Sequence, residues 1–273
     1  TSEKDSLSFA AAENAFVKGN CDKAMTSFRN YLSTYPSGAF TTSAHFYLAD
    51  CLKRSGMADD ALDQYNHVLS AGNNQFTEQA LLNAASIYFG KNSYTESYSL
   101  YERLSRIAST SDNVLYAYLG MMRAADKLGD NDKTIKAAAM VLESEKLTED
   151  IAREATFLTA TANRKMGNTA DALDDYERVS SEVSTAMGAE AKYYVAQLQY
   201  NAGNIKDAEA TANKFVDMNS PYAYWTGKIF LLLSDIAVSK GDKFQARATL
   251  QSLIDYYTSA NDGIIDEARA RLA

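Results

Sequence analysis

The residues that could support chemistry are few, and the two histidines are the first to consider. His45 and His67 lie eleven residues before and eleven residues after Gly56, so a helical hairpin that turned at Gly56 could bring the imidazoles together. A zinc site needs three or four converging ligands, and no motif in the sequence supplies the others. We therefore interpret the histidines as surface or packing residues and expect no metal and no cofactor.

The two cysteines are too few for a disulfide framework and lack the spacing of a metal motif. Cys21 lies two residues after Gly19, and Cys51 lies five residues before Gly56. In antiparallel neighbouring helices the two would fall at similar heights, so a disulfide is one alternative. We favour two separately buried thiols, because free cysteine is commonly buried. The sequence leaves export to an oxidising compartment open.

Motifs of catalytic sites are almost absent. Ser111-Asp112-Asn113 matches one of three penicillin-binding motifs, but S-x-x-K and K-T-G do not occur. The segment is better interpreted as a helix N-cap turn, in which Ser111 and Asp112 accept backbone N–H groups. A Gly-rich phosphate loop and a G-x-S-x-G motif are missing as well. We predict that the chain is not an enzyme.

The composition argues against two classes of protein and favours one fold class. A formal net charge of -8 argues against a nucleic-acid binder, which must present a basic surface to the phosphates. No apolar run approaches the roughly 18 residues of a membrane-spanning helix, so we expect no insertion of this segment into a membrane. Two prolines and 13 glycines in 273 residues are few for the turns of a sheet-rich fold and favour an all-α protein.

A recurring segment supplies the elements that must position any functional residue. The stretch GNCDKAMTSF at Gly19 returns as GMADDALDQY at Gly56 and as GNTADALDDY at Gly167. A Gly or Asn suited to the left-handed end of a helix marks each copy. These turn residues recur at intervals of 36 to 38: Gly19, Gly56, Asn92, Gly129, Gly167, Gly203 and Gly241.

Small residues flank each turn at fixed distances, where two helix backbones can approach closely. Apolar or aromatic residues follow at nine and twelve in most units, which is the spacing of one helical stripe. Each unit is therefore predicted to be a helical hairpin that must stack on its neighbours to bury a continuous core. The small residues are Ala24, Ala61, Ser97, Thr134, Ala172, Ala208 and Ala246 five after the turn, and Ala12, Ala49, Ala85, Ala160, Ala196 and Ser234 seven before it, with Met122 as the exception.

This pattern resembles the tetratricopeptide repeat (TPR), a helix-turn-helix module. The resemblance implies a right-handed α-solenoid of about seven TPR-like helical hairpins, followed by a C-terminal partial or capping helix. We expect one solenoid domain over residues 1–273, with units at about 6–36, 39–72, 75–109, 112–146, 148–184, 186–219 and 221–258 and the last helix at 263–273.

The first unit and the start of the second, FRNYLSTYPSGAFTTSAHFYLADCLKRSG, are similar to bacterial cell-envelope TPR proteins. Those include the periplasmic coordinator of the Tol–Pal system and the lipoprotein of outer-membrane barrel assembly. The similarity implies a periplasmic or outer-membrane-associated location, with the cytoplasm as the alternative. It is carried by Tyr35-Pro36-Ser37 and by Ala44, Tyr47, Leu48 and Ala49.

In TPR proteins the first helix of each hairpin lines a concave face that receives a peptide or a partner helix, so the resemblance implies a protein or peptide partner. The corresponding positions here are ten, six, three and two before each turn. The first of these is regularly apolar, and we interpret it mainly as packing. The candidate partner-binding residues are, at the variable positions, Asp50, Lys53, Arg54, Arg123, Lys127, Arg164 and Lys165, and, in the sixth unit, Tyr193 from the apolar position together with Gln197, Tyr200 and Asn201.

The cations among these residues have two interpretations. They could form a basic strip for an acidic ligand, or they could complement the negative end of each helix. Tyrosines in the sixth unit are of the kind that anchors a partner. We predict a non-catalytic interaction scaffold that binds through the groove, in a bacterial envelope complex. The alternative is a structural spacer or self-association segment of a longer TPR protein, because Ala268 and Leu272 fit the start of an eighth unit.

Overall fold

The computed structural model describes residues 3–259 and 261–273, so residues 1, 2 and 260 lie outside the described part. Within that part the chain forms fifteen α-helices and no strand, which confirms the predicted all-α repeat fold. The helices are α1 Glu3–Val17, α2 Cys21–Thr34, α3 Thr41–Arg54, α4 Ala58–Ser70, α5 Thr77–Gly90, α6 Tyr94–Ile107, α7 Ser111–Leu128, α8 Asn131–Leu142, α9 Glu149–Met166, α10 Thr169–Val179, α11 Ala186–Asn201, α12 Ile205–Asp217, α13 Ala223–Ser239, α14 Lys243–Tyr256 and α15 Ile264–Leu272.

Consecutive helices from α1 to α14 pair as seven hairpins, and the predicted turn residues lie between the helices of each pair. All seven have a positive φ, from 60° at Asn92 to 82° at Gly167 and Gly203. The small residues five after the turn are at most 3% exposed, because the two helices of a hairpin touch there. The sequence pattern thus reports the close approach of helix backbones.

Two compact units divide the chain, one over Thr1–Leu147 and the other over Thr148–Ala273. The core of the first runs from Phe9 to Ala117. Apolar clusters also form among the described residues of the second unit, and Ile264 and Ala268 of α15 belong to one of them. The prediction of one solenoid domain over the whole chain stays a prediction.

A buried polar network joins the first hairpin to the segment before α3. The hydroxyl of Tyr31 donates to Oδ1 of Asp5 over 2.6 Å and accepts the N–H of Phe40 over 3.1 Å. Burial and the bond to Asp5 raise the pKa of Tyr31 to about 12. A side chain at Gly38 would approach the Tyr31 hydroxyl to 2.5 Å. The network therefore requires glycine two residues after the Pro of the envelope-like motif.

The cysteines form a disulfide, so our preference for two separate thiols was wrong. Cys21 begins α2 and Cys51 lies in α3, with Cα atoms 5.2 Å apart. That separation is within the range of disulfide geometry. The two cysteines lie side by side, in agreement with the similar heights expected from the sequence. Their bond joins the first two hairpins.

The cap of α7 is one residue earlier than predicted. Thr110 is the N-cap, and its hydroxyl accepts the backbone N–H of Asn113 over 3.2 Å. Ser111 is the first residue of the helix rather than the cap. The Ser-Asp-Asn segment is still the start of a helix, which accounts for it without catalysis.

Candidate functional site

Two of the predicted binding residues, Lys53 and Arg123, line the same pocket in the compact unit Thr1–Leu147. The pocket has a volume of about 390 Å³ and lies on the face formed by α3, α5 and α7, with one ring from α6. This is within the size range of small-molecule and side-chain pockets. We call it the unit-1 pocket; its lining residues are Lys53, Leu82, Asn83, Ser86, Phe89, Tyr101, Tyr116, Leu119, Gly120 and Arg123.

Gly120 shapes the wall of the unit-1 pocket. It lies in the middle of α7, where a Cβ atom would overlap the ring of Tyr101 on α6. Because glycine has no side chain, α7 packs directly against that ring, and Tyr101 is only 9% exposed. Gly120 and the ring of Tyr101 therefore form part of the pocket lining, next to apolar side chains such as Leu82 and Leu119.

A chain of hydrogen bonds positions the lysine of the pocket. Nζ of Lys53 donates to Oδ1 of Asn83 over 2.8 Å, and Nδ2 of Asn83 donates to the hydroxyl of Tyr65 over 3.0 Å. Asn83 is 6% exposed, and burial raises the pKa of Tyr65. Because a buried amide holds it, the ammonium group of Lys53 is directed toward the pocket lined by α5 and α7.

Arg123 supplies the second positive charge. Burial raises the pKa of Tyr101, while the Arg123 charge and a hydrogen bond from Ser86 act in the opposite direction. The charge of Arg123 thus acts on the pKa of Tyr101, which also lines the pocket, although the Arg123 side chain is exposed. A guanidinium group binds a carboxylate with two parallel hydrogen bonds, and an ammonium group acts as a point charge. The pair can hold an acidic group beside an apolar surface.

The remaining candidates in Thr1–Leu147 fit the alternative in which cations complement helix ends. Arg54 and Asp50 form an ion pair of 2.6 Å along α3. The guanidinium carbon of Arg54 lies 5.4 Å from the centre of the Phe16 ring. Lys127 is in the last turn of α7. None of these three lines the unit-1 pocket, and their role in binding stays a prediction.

In the compact unit Thr148–Ala273, Arg164 is held by packing contacts. Its Cζ lies 4.1 Å from the centre of the Tyr194 ring, and its Nε donates to the hydroxyl of Tyr176 over 3.2 Å. A cation over an aromatic face is attracted by the ring quadrupole. Lys165, the next residue, is exposed. The structure thus gives Arg164 a structural contact, whereas a partner contact for either residue stays a prediction.

The predicted tyrosine anchor of α11 is a hydrogen-bonded row. The hydroxyl of Tyr193 donates to Gln197 over 2.9 Å, and Gln197 donates to Asn201 over 2.9 Å. Tyr193 is only 7% exposed, and its ring packs 5.5 Å from that of Trp225. The hydroxyl of Tyr200 lies 3.1 Å from that of Ser239. The row presents amide groups at its end, and Tyr193 itself belongs to the core.

Several pocket residues were missing from the sequence-based candidates. Ser86 and Phe89 lie six and three before Asn92, which are the positions applied to the other units. The same positions in the third hairpin, counted from Asn92, would have included both residues. Asn83 and Gly120, nine before their turns, carry no such signal because their importance comes from contacts with Tyr65 and Tyr101.

The two histidines do come together, as the hairpin geometry allowed. Their rings stack with centres 4.3 Å apart, and Nδ1 of His45 lies 2.7 Å from Oε1 of Gln64. Burial lowers the pKa of His45, and the charge of His67 acts in the same direction. No group of three or more His, Cys, Asp or Glu able to hold a metal ion occurs among the described residues.

Over residues 3–259 and 261–273, none of the helices combines the length and the apolar character that crossing a bilayer requires.

Comparison with known proteins finds a family similar to part of the chain. Tetratricopeptide repeat models match residues 157–223 and 223–259. No curated protein matches the sequence. Residues 157–259 are therefore similar in sequence to tetratricopeptide repeats.

Solved structures share the fold along most of the chain. The C-terminal part of a TPR repeat-containing protein from Cytophaga hutchinsonii is 15% identical, with 95% of this chain and 98% of that chain covered and a TM-score of 0.66. A tetratricopeptide repeat protein from Parabacteroides merdae is 16% identical over 100% of both chains, with a TM-score of 0.50. YrrB, a TPR protein with an unusual peptide-binding site, is 15% identical over 70% of this chain and 91% of its own, with a TM-score of 0.53. At these identities the likeness shows the TPR fold alone.

Proposed function

We propose that this TPR-fold protein is a non-catalytic scaffold that binds an acidic peptide segment of a protein partner at the unit-1 pocket. TPR folds generally mediate protein–protein interaction and are generally not enzymes. The single observation that supports the proposal most is the convergence of Lys53 and Arg123, from different helices, on one partly apolar pocket. The chain as a whole has a net charge of -8, so two cations that line the same pocket stand out.

The lining of the pocket defines the segment that would fit. Leu82, Phe89 and Leu119 provide apolar surface, while Lys53 and Arg123 provide donors. A carboxylate bonded to a charged donor contributes about 1.5–3 kcal/mol per hydrogen bond. The ligand is therefore a segment with an apolar side chain next to Asp, Glu or a free C-terminal carboxylate. YrrB, described as having a peptide-binding site, lends support by likeness of fold.

The test is affinity capture from the native cell with a pocket variant and a matched control. The variant K53E/R123E reverses both pocket charges. The control R29E/K136E makes the same change in net charge at two exposed residues of α2 and α8 in the same unit. We expect a partner that the wild type and the control retain and that the pocket variant loses, followed by at least a tenfold weaker Kd for the purified partner.

Circular dichroism of all three proteins shows whether each is folded before capture is compared. Equal retention of the same partner by a folded K53E/R123E variant would contradict binding at the unit-1 pocket. No specific capture by any of the proteins would favour the alternative function, a structural spacer or self-association segment.

We also propose that the protein functions outside the cytoplasm, in the periplasm or at the outer membrane, within an envelope complex. The Cys21–Cys51 disulfide supports this, because structural disulfides persist in oxidising compartments and are rare in the cytosol. The envelope-like motif Tyr35-Pro36-Ser37 is the second support. Intact mass of protein taken from native cells and alkylated without reductant should show no modified cysteine. Two alkylated cysteines would instead favour the cytoplasm.

A further inference from the structure

A second pocket lies between α13 and α14 in the unit Thr148–Ala273, and it is independent of the unit-1 pocket. Its volume is about 520 Å³, and none of its lining residues is charged. Thr226 and Phe230 of α13 form one wall, and Thr249, Ser252 and Leu253 of α14 form the other. We call it the α13/α14 pocket. A chargeless pocket of this size is unexpected in a chain in which 23% of residues are charged.

The other hairpins provide an internal comparison for the outer face of α14. At positions three, four, seven and eleven after the turn, the second helix of each of the first six hairpins carries two or three residues of Asp, Glu, Lys or Arg. The seventh carries none there. It has Phe244, Gln245, Ala248 and Ser252 instead. The solvated charged face that the repeat requires elsewhere has been replaced at this helix alone.

Two aromatic rings on α14 are almost fully exposed. Phe244 is 83% and Tyr256 is 81% exposed, at opposite ends of the helix. Asp occupies the position of Phe244 in α2, α4 and α8. Water solvates such rings poorly, and exposed apolar groups beside a pocket are typical of a surface that a partner covers.

The pocket is built on fixed contacts rather than on a loose helix end. Gly227 of α13 has no room for a side chain, because a Cβ atom would lie 2.9 Å from Ile264 and 3.2 Å from Tyr257. The hydroxyl of Tyr257 donates to Asp262. The segment after α14 is thereby held against α13, and the end of the pocket beside Tyr257 is formed before any ligand arrives.

Several polar groups of the walls already have hydrogen-bond partners within the protein. Nε2 of Gln245 donates to Thr249 over 3.2 Å, and the hydroxyl of Thr226 donates to the carbonyl of Tyr222 over 3.3 Å. A sugar needs several directional hydrogen bonds from its site, and the bonds within the protein reduce the number that Thr226, Gln245 and Thr249 can offer. What the pocket offers is the apolar surface of Phe230 and Leu253 beside the ring of Tyr256.

We propose that the α13/α14 pocket docks an uncharged peptide segment of a protein partner, with aliphatic or aromatic side chains entering between Phe230 and Leu253. An ionised group would lose its hydration there without gaining a partner, so the neutral lining selects against charged segments. Phe244 and Tyr256 cover the flanks of the bound segment. This second surface recognises a chemistry opposite to that of the acidic ligand proposed for the unit-1 pocket.

The probe is a pool of acetylated, amidated hexapeptides made of Leu, Ile, Phe, Tyr, Ser and Gly, titrated into the ¹⁵N-labelled full chain and followed by backbone amide shifts. A second pool replaces the apolar residues by Asp and Lys. The variant A248D/S252R installs the residues found at the same positions of the fifth hairpin, Asp174 and Arg178. The control A210D places the same Asp at the matching position of α12, which already has Lys214.

We expect the neutral pool to shift the amides of residues 226–230 and 245–257, with at least tenfold weaker binding to A248D/S252R and no change for A210D. The charged pool should not bind there. Absence of these shifts, or equal binding to a folded A248D/S252R variant, would overturn the proposal. So would equal shifts with maltotriose, or a dimer of the wild type that the variant loses. A negative result in this peptide titration does not change the expected result of the capture experiment with K53E/R123E. The two proposals are therefore tested separately.

Discussion

Arg123 and Arg164 show how surroundings decide the role of a residue. Both are cations in the second half of the first helix of a hairpin. Arg123 is exposed and lines the unit-1 pocket, whereas Arg164 stacks on Tyr194 and donates to Tyr176. The same side-chain type therefore lines a pocket in Thr1–Leu147 and packs on core tyrosines in Thr148–Ala273.

Replacing each arginine by alanine should separate these roles. R164A is expected to lower the free energy of unfolding by about 1–2 kcal/mol, because it removes a cation–π contact and a charged hydrogen bond to a buried hydroxyl. R123A should lower it by less than R164A does, because the interactions of an exposed side chain contribute little to stability. Urea unfolding followed by circular dichroism measures both. A larger loss for R123A than for R164A would contradict the assignment.

The histidine pair makes stability depend on pH. Burial and His67 hold the pKa of His45 below its ordinary value of 6.5, so the unfolded chain binds the proton more readily than the folded chain. Stability should therefore be full above pH 6.5 and fall as the pH drops through the lowered pKa.

The comparison is the free energy of unfolding of the wild type and of H45Q, measured from pH 7.5 to pH 5. We expect a shallower loss in H45Q, because its side chain cannot take up a proton. An H67Q variant should lie between the two, since it removes only the neighbouring charge. Identical slopes for the wild type and H45Q would show that other groups cause the acid sensitivity.

At the scale of elements, some helices approach each other closely because a side chain is missing at the contact. α7 lies against α6 because Gly120 has no Cβ atom to collide with Tyr101. At Gly90, the last residue of α5, no atom lies within 4 Å of an added Cβ. Two glycines within helices therefore have different reasons to be glycine.

The substitution G120A should lower the free energy of unfolding by about 1–3 kcal/mol, the usual cost of overpacking a core. It should also displace Tyr101 and so reduce the unit-1 pocket. G90A is the matched control and should be neutral or slightly stabilising, because alanine is favoured over glycine in a helix by about 1 kcal/mol. Thermal unfolding of both variants gives the comparison. Equal effects would mean that the contact with Tyr101 is not decisive.

At the scale of the whole molecule, repeated hairpins distribute the core over many local clusters. In repeat proteins each unit contacts mainly its neighbours, so stability is close to a sum of local terms. The apolar clusters of Thr148–Ala273 are formed entirely by residues of that unit. A segment with its own core can fold alone.

Residues 148–273 expressed alone should therefore be helical and unfold cooperatively in urea. The full chain is the reference, and a helical signal per residue within about a tenth of its value is expected because α9 to α15 are all retained. A fragment with the circular dichroism of an unfolded chain would show that the unit needs residues 1–147. This experiment also tests whether 1–273 behaves as one solenoid domain.

The sequence by itself determined the repeat, the turn residues and the all-α fold. These depend on local rules, because a left-handed turn needs Gly or Asn and a close helix crossing needs a small residue such as Ala24 or Ala61. The resemblance to the tetratricopeptide repeat that this pattern supports brought Lys53 and Arg123 into the set of candidates. Spacing along a helix is visible in one chain without any knowledge of distant contacts.

Only the tertiary structure decided which candidates share a site. The unit-1 pocket depends on Asn83 holding Lys53 and on Gly120 meeting Tyr101, and the disulfide depends on the distance between α2 and α3. Side chains far apart in sequence meet through the packing of several helices, and their distances follow from the volumes of all the residues between them. A repeat pattern gives each helix its face, but the contacts between faces are set by the packed core.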